Sequence, residues 1–294
     1  MPYAKLAELH SDKVEVRVNK NPLGQKTDQA EIQRTQNLWQ ENWDFEDLKW
    51  CDIVVVNNIS NYGGPYTSRV VGKAREFGKF VHFDTDDLLT DLYDEHKLKN
   101  VYKEKKLDEI TMHMYQHSHL VTVTQAKFAE RIQPYCQNVL GIIKNQIDYN
   151  LECWNIDRNR FPSRKIRVGW AGGIHHLPDV KIIEGVPYLV NQKVGKENVQ
   201  WDFYGFPPPG QKDDEWQIDT WENYKKSLLK GFKGQKNYNI HYALPPDKYG
   251  IMMANMDIGI APLQMNAFND SKCFSRGTKI LMHDGTTKLV EDIS

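Results

Sequence analysis

At 294 residues the chain is long enough for about two domains, and its 40% hydrophobic content supplies real cores, which excludes a disordered or fibrous protein. A formal net charge of -1, from 38 Lys and Arg against 39 Asp and Glu, creates no global field for nucleic acid or an anionic membrane. No run approaches the roughly 20 apolar residues of a bilayer span, and the N-terminus has no apolar signal core. The four cysteines, Cys51, Cys136, Cys153 and Cys273, have neither metal spacing nor the density of a disulfide framework, which points to a reducing compartment, the cytosol.

In chain order, residues 14–18 read as a strand and 28–47 as partly helical. The run at 51–57, with Ile53, Val54, Val55 and Val56, has the β-branched character of a buried parallel strand. A helix is expected over 67–77, closed by Gly78, and a strand over 79–83. The alternation continues with a charged helix over 91–117, a strand at 119–124, a helix at 125–132 and a strand at 138–143. Residues 148–164, rich in Asn, Arg, Trp and Pro, read as a linker. A second cycle follows: a strand at 165–171 running into Gly172 and Gly173, a helix at 178–191 and a strand at 198–205. Residues 207–236 read as a surface insertion with a helix at 221–229. A strand at 240–243, a helix at 246–256 and a strand at 257–263 complete the cycle. Strands alternating with helices predict a doubly wound α/β fold.

Three stretches carry chemistry. Gly172 and Gly173 directly after a strand form a glycine turn at a strand's carboxyl end, where ligands bind in open α/β sheets; a tight turn with no ligand is the plain alternative. His175 and His176 either donate to phosphate or cap the following helix. In the first half, Asp84, Asp86 and Asp87 follow a strand, where ligands bind in open α/β sheets. They suit a divalent cation, an acid and nucleophile pair, or a helix cap. The third stretch is the tail from Cys273, with Thr278, Asp284 and Gly285 between alternating segments at 278–282 and 286–290, which read as a hairpin.

Together, Gly169, Trp170, Gly172, Gly173, His176 and Asp179, then Ala261, Pro262 and Leu263, then Asn269, Ser271 and Lys272, resemble nucleotide-sugar glycosyltransferases of the GT-B architecture over about residues 50–272. The resemblance implies two Rossmann-like domains: an acceptor-side domain at 1–150 and an incomplete donor-binding domain at 151–272. It implies that Gly172, Gly173, His176 and Lys272 hold the donor diphosphate, that Asp86 serves catalysis, and that transfer from a nucleotide-sugar donor to an unidentified acceptor needs neither a metal nor a further cofactor. Asp84 and Asp86 also resemble the acid pair of haloacid-dehalogenase phosphatases, although Leu88 departs from that pattern.

From Cys273 to Asp292 the tail resembles the N-terminal block of a Hint-type intein, which makes 273–294 a third segment. That resemblance implies that the Cys273 thiol attacks the Lys272 carbonyl and converts the amide to a thioester. It further implies a complementary C-terminal intein and extein, with the transferase inactive until splicing completes it. A precursor whose only autonomous activity is splicing, and a non-catalytic nucleotide-binding fragment, are the alternative expectations.

Overall fold

The structure is a computed structural model and describes residues 8–17, 46–57, 64–96, 98–145, 152–154, 156, 162–173, 176–207, 215–272, 279–281 and 287–289. The expectations for residues 28–45, His175, Cys273 and the turn at Asp284 and Gly285 lie outside these residues. Two compact units emerge. One comprises Met1–Asp86, Tyr102–Val123 and Ala129–Ile142; the other comprises Asp87–Val101, Thr124–Phe128 and Ile143–Ser294.

The first half of the chain runs α1 (Glu46–Trp50), β1 (Ile53–Asn57), α2 (Gly64–Glu76), β2 (Phe80–Asp84), α3 (Leu98–Glu104), α4 (Leu107–His117), β3 (Leu120–Val123), α5 (Ala126–Ile132) and β4 (Val139–Ile142). Its sheet has the order β1-β2-β3-β4 with every pair parallel. The central strands bury successive residues, Val81, His82 and Phe83 on β2 and Val121, Thr122 and Val123 on β3, as strands covered on both faces do. The run at 51–57 was expected to be such a strand. It is instead the sheet edge, and Ile53 stays 57% exposed.

Two further expectations change here. Residues 14–17 join no strand. The single helix foreseen over 91–117 is two, because Lys106 takes a left-handed backbone (φ 53°) between α3 and α4, and 87–96 form turns closed by bonds such as His96 N to the Tyr93 carbonyl.

The second unit continues with a 3-10 turn (Glu152–Trp154), β5 (Ile166–Ala171), α6 (Leu177–Val180), α7 (Val186–Val194), β6 (Val199–Phe206), α8 (Glu215–Lys230), β7 (Tyr238–Tyr242), α9 (Tyr249–Ala254), β8 (Ile258–Gly259) and α10 (Ala267–Asp270). Its parallel sheet has the order β7-β6-β5-β8. The helix expected over 178–191 breaks where Gly185 reaches φ 85° and Pro187 opens α7, since a proline inside a helix lacks the required amide and clashes with the preceding turn. Residues 215–236, inside the expected surface insertion, contribute to the core instead. Their helix α8 buries Tyr224 and Leu228 with Trp170, Trp201, Phe203 and Phe232 in the main core of this unit. The buried indole of Trp201 is satisfied by Asn191 Oδ1 at 3.2 Å. A small apolar cluster of Tyr204, Met252 and Met256 occupies the other face.

A bulge between Tyr204 and Phe206 returns Phe206 to the core. It depends on Gly205, at φ 117°, where a Cβ would stand 2.0 Å from the Gly172 carbonyl oxygen. Gly205→Ala is expected to cost about 3 kcal/mol or more from a disfavoured backbone and a clash with main chain. Thermal melting checks this, with a fall on the order of 10 °C as the expected result.

The pair β9 (Lys279–Leu281) and β10 (Thr287–Leu289) is antiparallel, with Leu281 opposite Thr287 and Lys279 opposite Leu289. These strands fall inside the two segments expected to pair.

Candidate functional site

In the second sheet the chain moves outward from β5 to β6 and β7, then returns to add β8 on the other side of β5. The carboxyl ends of β5 and β8 therefore flank a reversal of strand order, where open α/β sheets bind ligands. The turn after β5 carries Gly172, Gly173 and His176; the loop after β8 carries Gln264, Asn266 and Asn269 before Lys272. Sequence positions some 90 apart meet at this end of the sheet.

Asp179 holds them together. Its carboxylate is 1% exposed. Oδ2 lies 2.8 Å from His176 Nδ1, and Oδ1 accepts from the Gln264 amide at 2.8 Å and Asn269 Nδ2 at 3.0 Å. Asn266 Oδ1 in turn caps α10 by accepting the Asn269 amide at 2.8 Å, as asparagine does at helix starts. Burial opposes the charge on Asp179, but the His176 hydrogen bond, the Gln264 amide, the His176 charge and the Asn269 amide outweigh it and hold the carboxyl below the usual carboxylate range. Because the folded-state value is depressed, the ionised contacts stabilise fully above the unfolded value of about 4 and fade as pH falls through the folded one. The melting temperature is expected to fall on acidification below about pH 4, less steeply in Asp179→Asn, as melts across pH will show.

Asn269 Oδ1 is buried and accepts no hydrogen bond among the described residues. Such orphaned acceptors are rare, and a water or a ligand atom can satisfy this one. Beside the cluster, Tyr93, Glu95, Ile182, Gln264, Met265 and Asn266 line a depression of about 430 Å³. The Tyr93 phenol is pushed up to about 12, first by burial and then by the charges of Asp179 and Glu95.

The expected phosphate-side residues divide by role. The Gly172 amide donates to the Tyr204 carbonyl at 3.2 Å, and a Cβ there would meet the Trp170 ring at 2.3 Å, so close packing demands this glycine. Gly173 is exposed, and a Cβ on it would meet nothing within 4 Å; no backbone bond from its amide is present among the described residues. Lys272 Nζ pairs with Asp87 Oδ1 at 2.7 Å and stands 4.3 Å over the Phe268 ring. Neither Asp87 nor Phe268 was foreseen as its partner. Lys127 Nζ pairs with Asp270 Oδ1 at 2.6 Å, which ties residues 124–128 to α10.

In the first unit, Asn57, Asp84 and Thr122 stand in register across β1, β2 and β3. Asp84 Oδ2 accepts from Asn57 Nδ2 at 3.0 Å and Oδ1 from Thr122 Oγ1 at 2.7 Å. Since the Thr122 hydroxyl donates to Asp84, it accepts from His82 Nε2, 2.7 Å away. Asp84 is therefore a cross-strand tie, which does not suit the free nucleophile of the phosphatase-like alternative. Asp86 is exposed at the strand end. The next helix starts only at Leu98, so Asp86 and Asp87 cap none. Among the described residues no three His, Cys, Asp or Glu side chains gather as metal ligands, and no helix is long and apolar enough to cross a membrane.

No family model matches the sequence, and no curated protein matches it. Solved structures do. A trehalose-6-phosphate synthase, OtsA, superposes with a TM-score of 0.53 at 9% identity over 83% of this chain and 59% of that one. The UDP-forming α,α-trehalose-phosphate synthase of Burkholderia vietnamiensis gives 0.50 at 11% over 81% and 58%. An E. coli protein of this type bound with UDP-2-fluoro glucose gives 0.50 at 10% over 83% and 61%. These neighbours are GT-B glycosyltransferases, and the chain shares their α/β fold with parallel, Rossmann-like sheets. At such identities the likeness is one of fold, and the chain spans about three-fifths of their length.

Proposed function

We propose that the chain is part of a glycosyltransferase that takes a nucleotide-sugar donor at the carboxyl end of its second sheet. The observation that carries this reading is the Asp179 cluster, which joins the turn after β5 to the loop after β8 at the reversal of strand order. Asp179 fixes the His176 ring through Nδ1, which leaves Nε2 as the atom able to meet a ligand. The exposed Gly173 turn offers its amide to a diphosphate, while Gly172 lets the turn lie against Trp170 and Gly205. Lys272 supplies a cation when the diphosphate replaces Asp87 as its counter-ion. Donors fixed before the reaction stabilise the charge that develops on a departing nucleoside diphosphate. Asp86 is proposed as a catalytic carboxylate on the acceptor side.

The second part of the proposal concerns the tail. Cys273 begins an intein, and the thioester forms at the Lys272 carbonyl. The residue pattern from Cys273 and the antiparallel pairing of β9 with β10 support it.

UDP binding measured by calorimetry on the full chain tests the donor site. His176→Ala and Lys272→Ala are each expected to weaken UDP about tenfold, the loss of one charge-assisted hydrogen bond. Unchanged affinity in both variants counts against this site.

A further inference from the structure

Alternation along β6 sends Val199, Trp201 and Phe203 into the core with α8 and turns Gln200, Asp202 and Tyr204 to the opposite face. There Tyr204 packs on Met252 and Met256 of the small apolar cluster. The rest of that face is polar and lines a depression of about 370 Å³ with Lys165, Arg167, Asn239 and His241. None of the sequence motifs pointed to it, and it shares no residue with the Asp179 cluster.

Its floor is a buried carboxylate. Asp202 is 5% exposed, and its two hydrogen bonds, from Asn239 Nδ2 at 2.9 Å and His241 Nε2 at 2.8 Å, both fall on Oδ1. Oδ2 accepts none among the described residues, and Asp202 lines the depression. Arg167 is held by Asp257 through Nε at 3.0 Å and Nη2 at 3.1 Å, which offsets its charge and fixes it as a wall. His241 stacks on Tyr204 with centroids 4.2 Å apart and planes 10° from parallel. Its side chain remains 35% exposed, so the stacked pair presents an outer ring face.

Charge selects the ligand class. A phosphate would meet the Asp202 carboxylate at the floor, and a cation would meet Lys165. A neutral molecule with several hydroxyls meets neither penalty: adjacent hydroxyls donate to Oδ2, Lys165 and the Gln200 amide serve its other oxygens, and an apolar ring face lies on the imidazole. We propose that this depression binds a neutral saccharide unit. The inference stands independently of the donor site, because it concerns a different face of the sheet and different residues.

Amide NMR of the full chain tests it, with maltose and methyl hexosides as probes and inorganic phosphate and spermidine as charged comparisons. Maltose or a methyl hexoside at millimolar concentration is expected to move the amides of residues 200–204 and 239–241, and the charged probes to leave them in place. Asp202→Asn is expected to weaken that saccharide about tenfold. Should that variant fail to fold, Lys165→Ala, a change at the rim, is expected to weaken it severalfold. The proposal is overturned if none of the saccharides moves those amides, if phosphate or spermidine moves them instead, or if the folded variants bind as tightly as the parent chain.

Discussion

Asp179→Ala is expected to destabilise the second unit by about 3 kcal/mol or more and to lower its melting temperature on the order of 10 °C. The size follows from what is left behind. His176 loses its fixed orientation, and the Gln264 amide and Asn269 side chain lose the acceptor they share. Each stranded buried donor costs about 1–3 kcal/mol. Asp179→Asn keeps an oxygen of nearly the same shape and is expected to lose less. Denaturant titration of the three proteins measures the series; an alanine variant as stable as the parent would show that the two loops are held by other contacts.

If Cys273 begins an intein, as proposed, Cys273→Ala is expected to abolish splicing completely. In the proposed reaction the Cys273 sulfur adds to the Lys272 carbonyl carbon, the carbon–nitrogen bond breaks, and the freed amine takes the proton, leaving a thioester. Alanine has no atom to do this. Mass spectrometry of the chain with its whole intein, or of the chain mixed with the complementary half where the intein is split, is expected to find a ligated product with Cys273 present and none with the variant. Ligation that survives the substitution removes Cys273 as the nucleophile. Lys272, held by Asp87 and Phe268, makes Asp87→Asn a useful companion, since it frees the residue before the junction without touching the thiol.

Much of the framework was legible because parallel strands announce themselves locally. The β-branched run before Asn57, the run ending at Ala171 and the stop at Gly78 depend on near neighbours, and those two strands stand where they are expected, whereas 14–17 join no strand and the strand expected over 257–263 covers only Ile258–Gly259. Long-range effects were hidden. Nothing near Ile53 says that its strand is an edge, and nothing in the polar residues around α8 says that Tyr224 is wholly buried. Pro187 was a local signal that went unread, and it divides α6 from α7.

The site divides in the same way. Gly172, Gly173 and His176 form one turn and stand out together in the sequence. Asp179 is three residues from His176, but its other partners are 85 and 90 residues away, and no short pattern links them. Asp202 was invisible for the same reason: Asn239 and His241 come from the neighbouring strand. A Rossmann-like glycine turn was readable, whereas the carboxylate that organises it required the fold.

Amide NMR of the full chain during a UDP titration tests the central claim most directly, because it reports where the nucleotide lands. The account predicts that Gly173, His176 and residues 264–272 shift together, and that Asn57, Asp84 and Thr122 of the first sheet stay still. Shifts confined to the first sheet, or no shift at the turn after β5, would contradict a donor site at the carboxyl end of the second sheet.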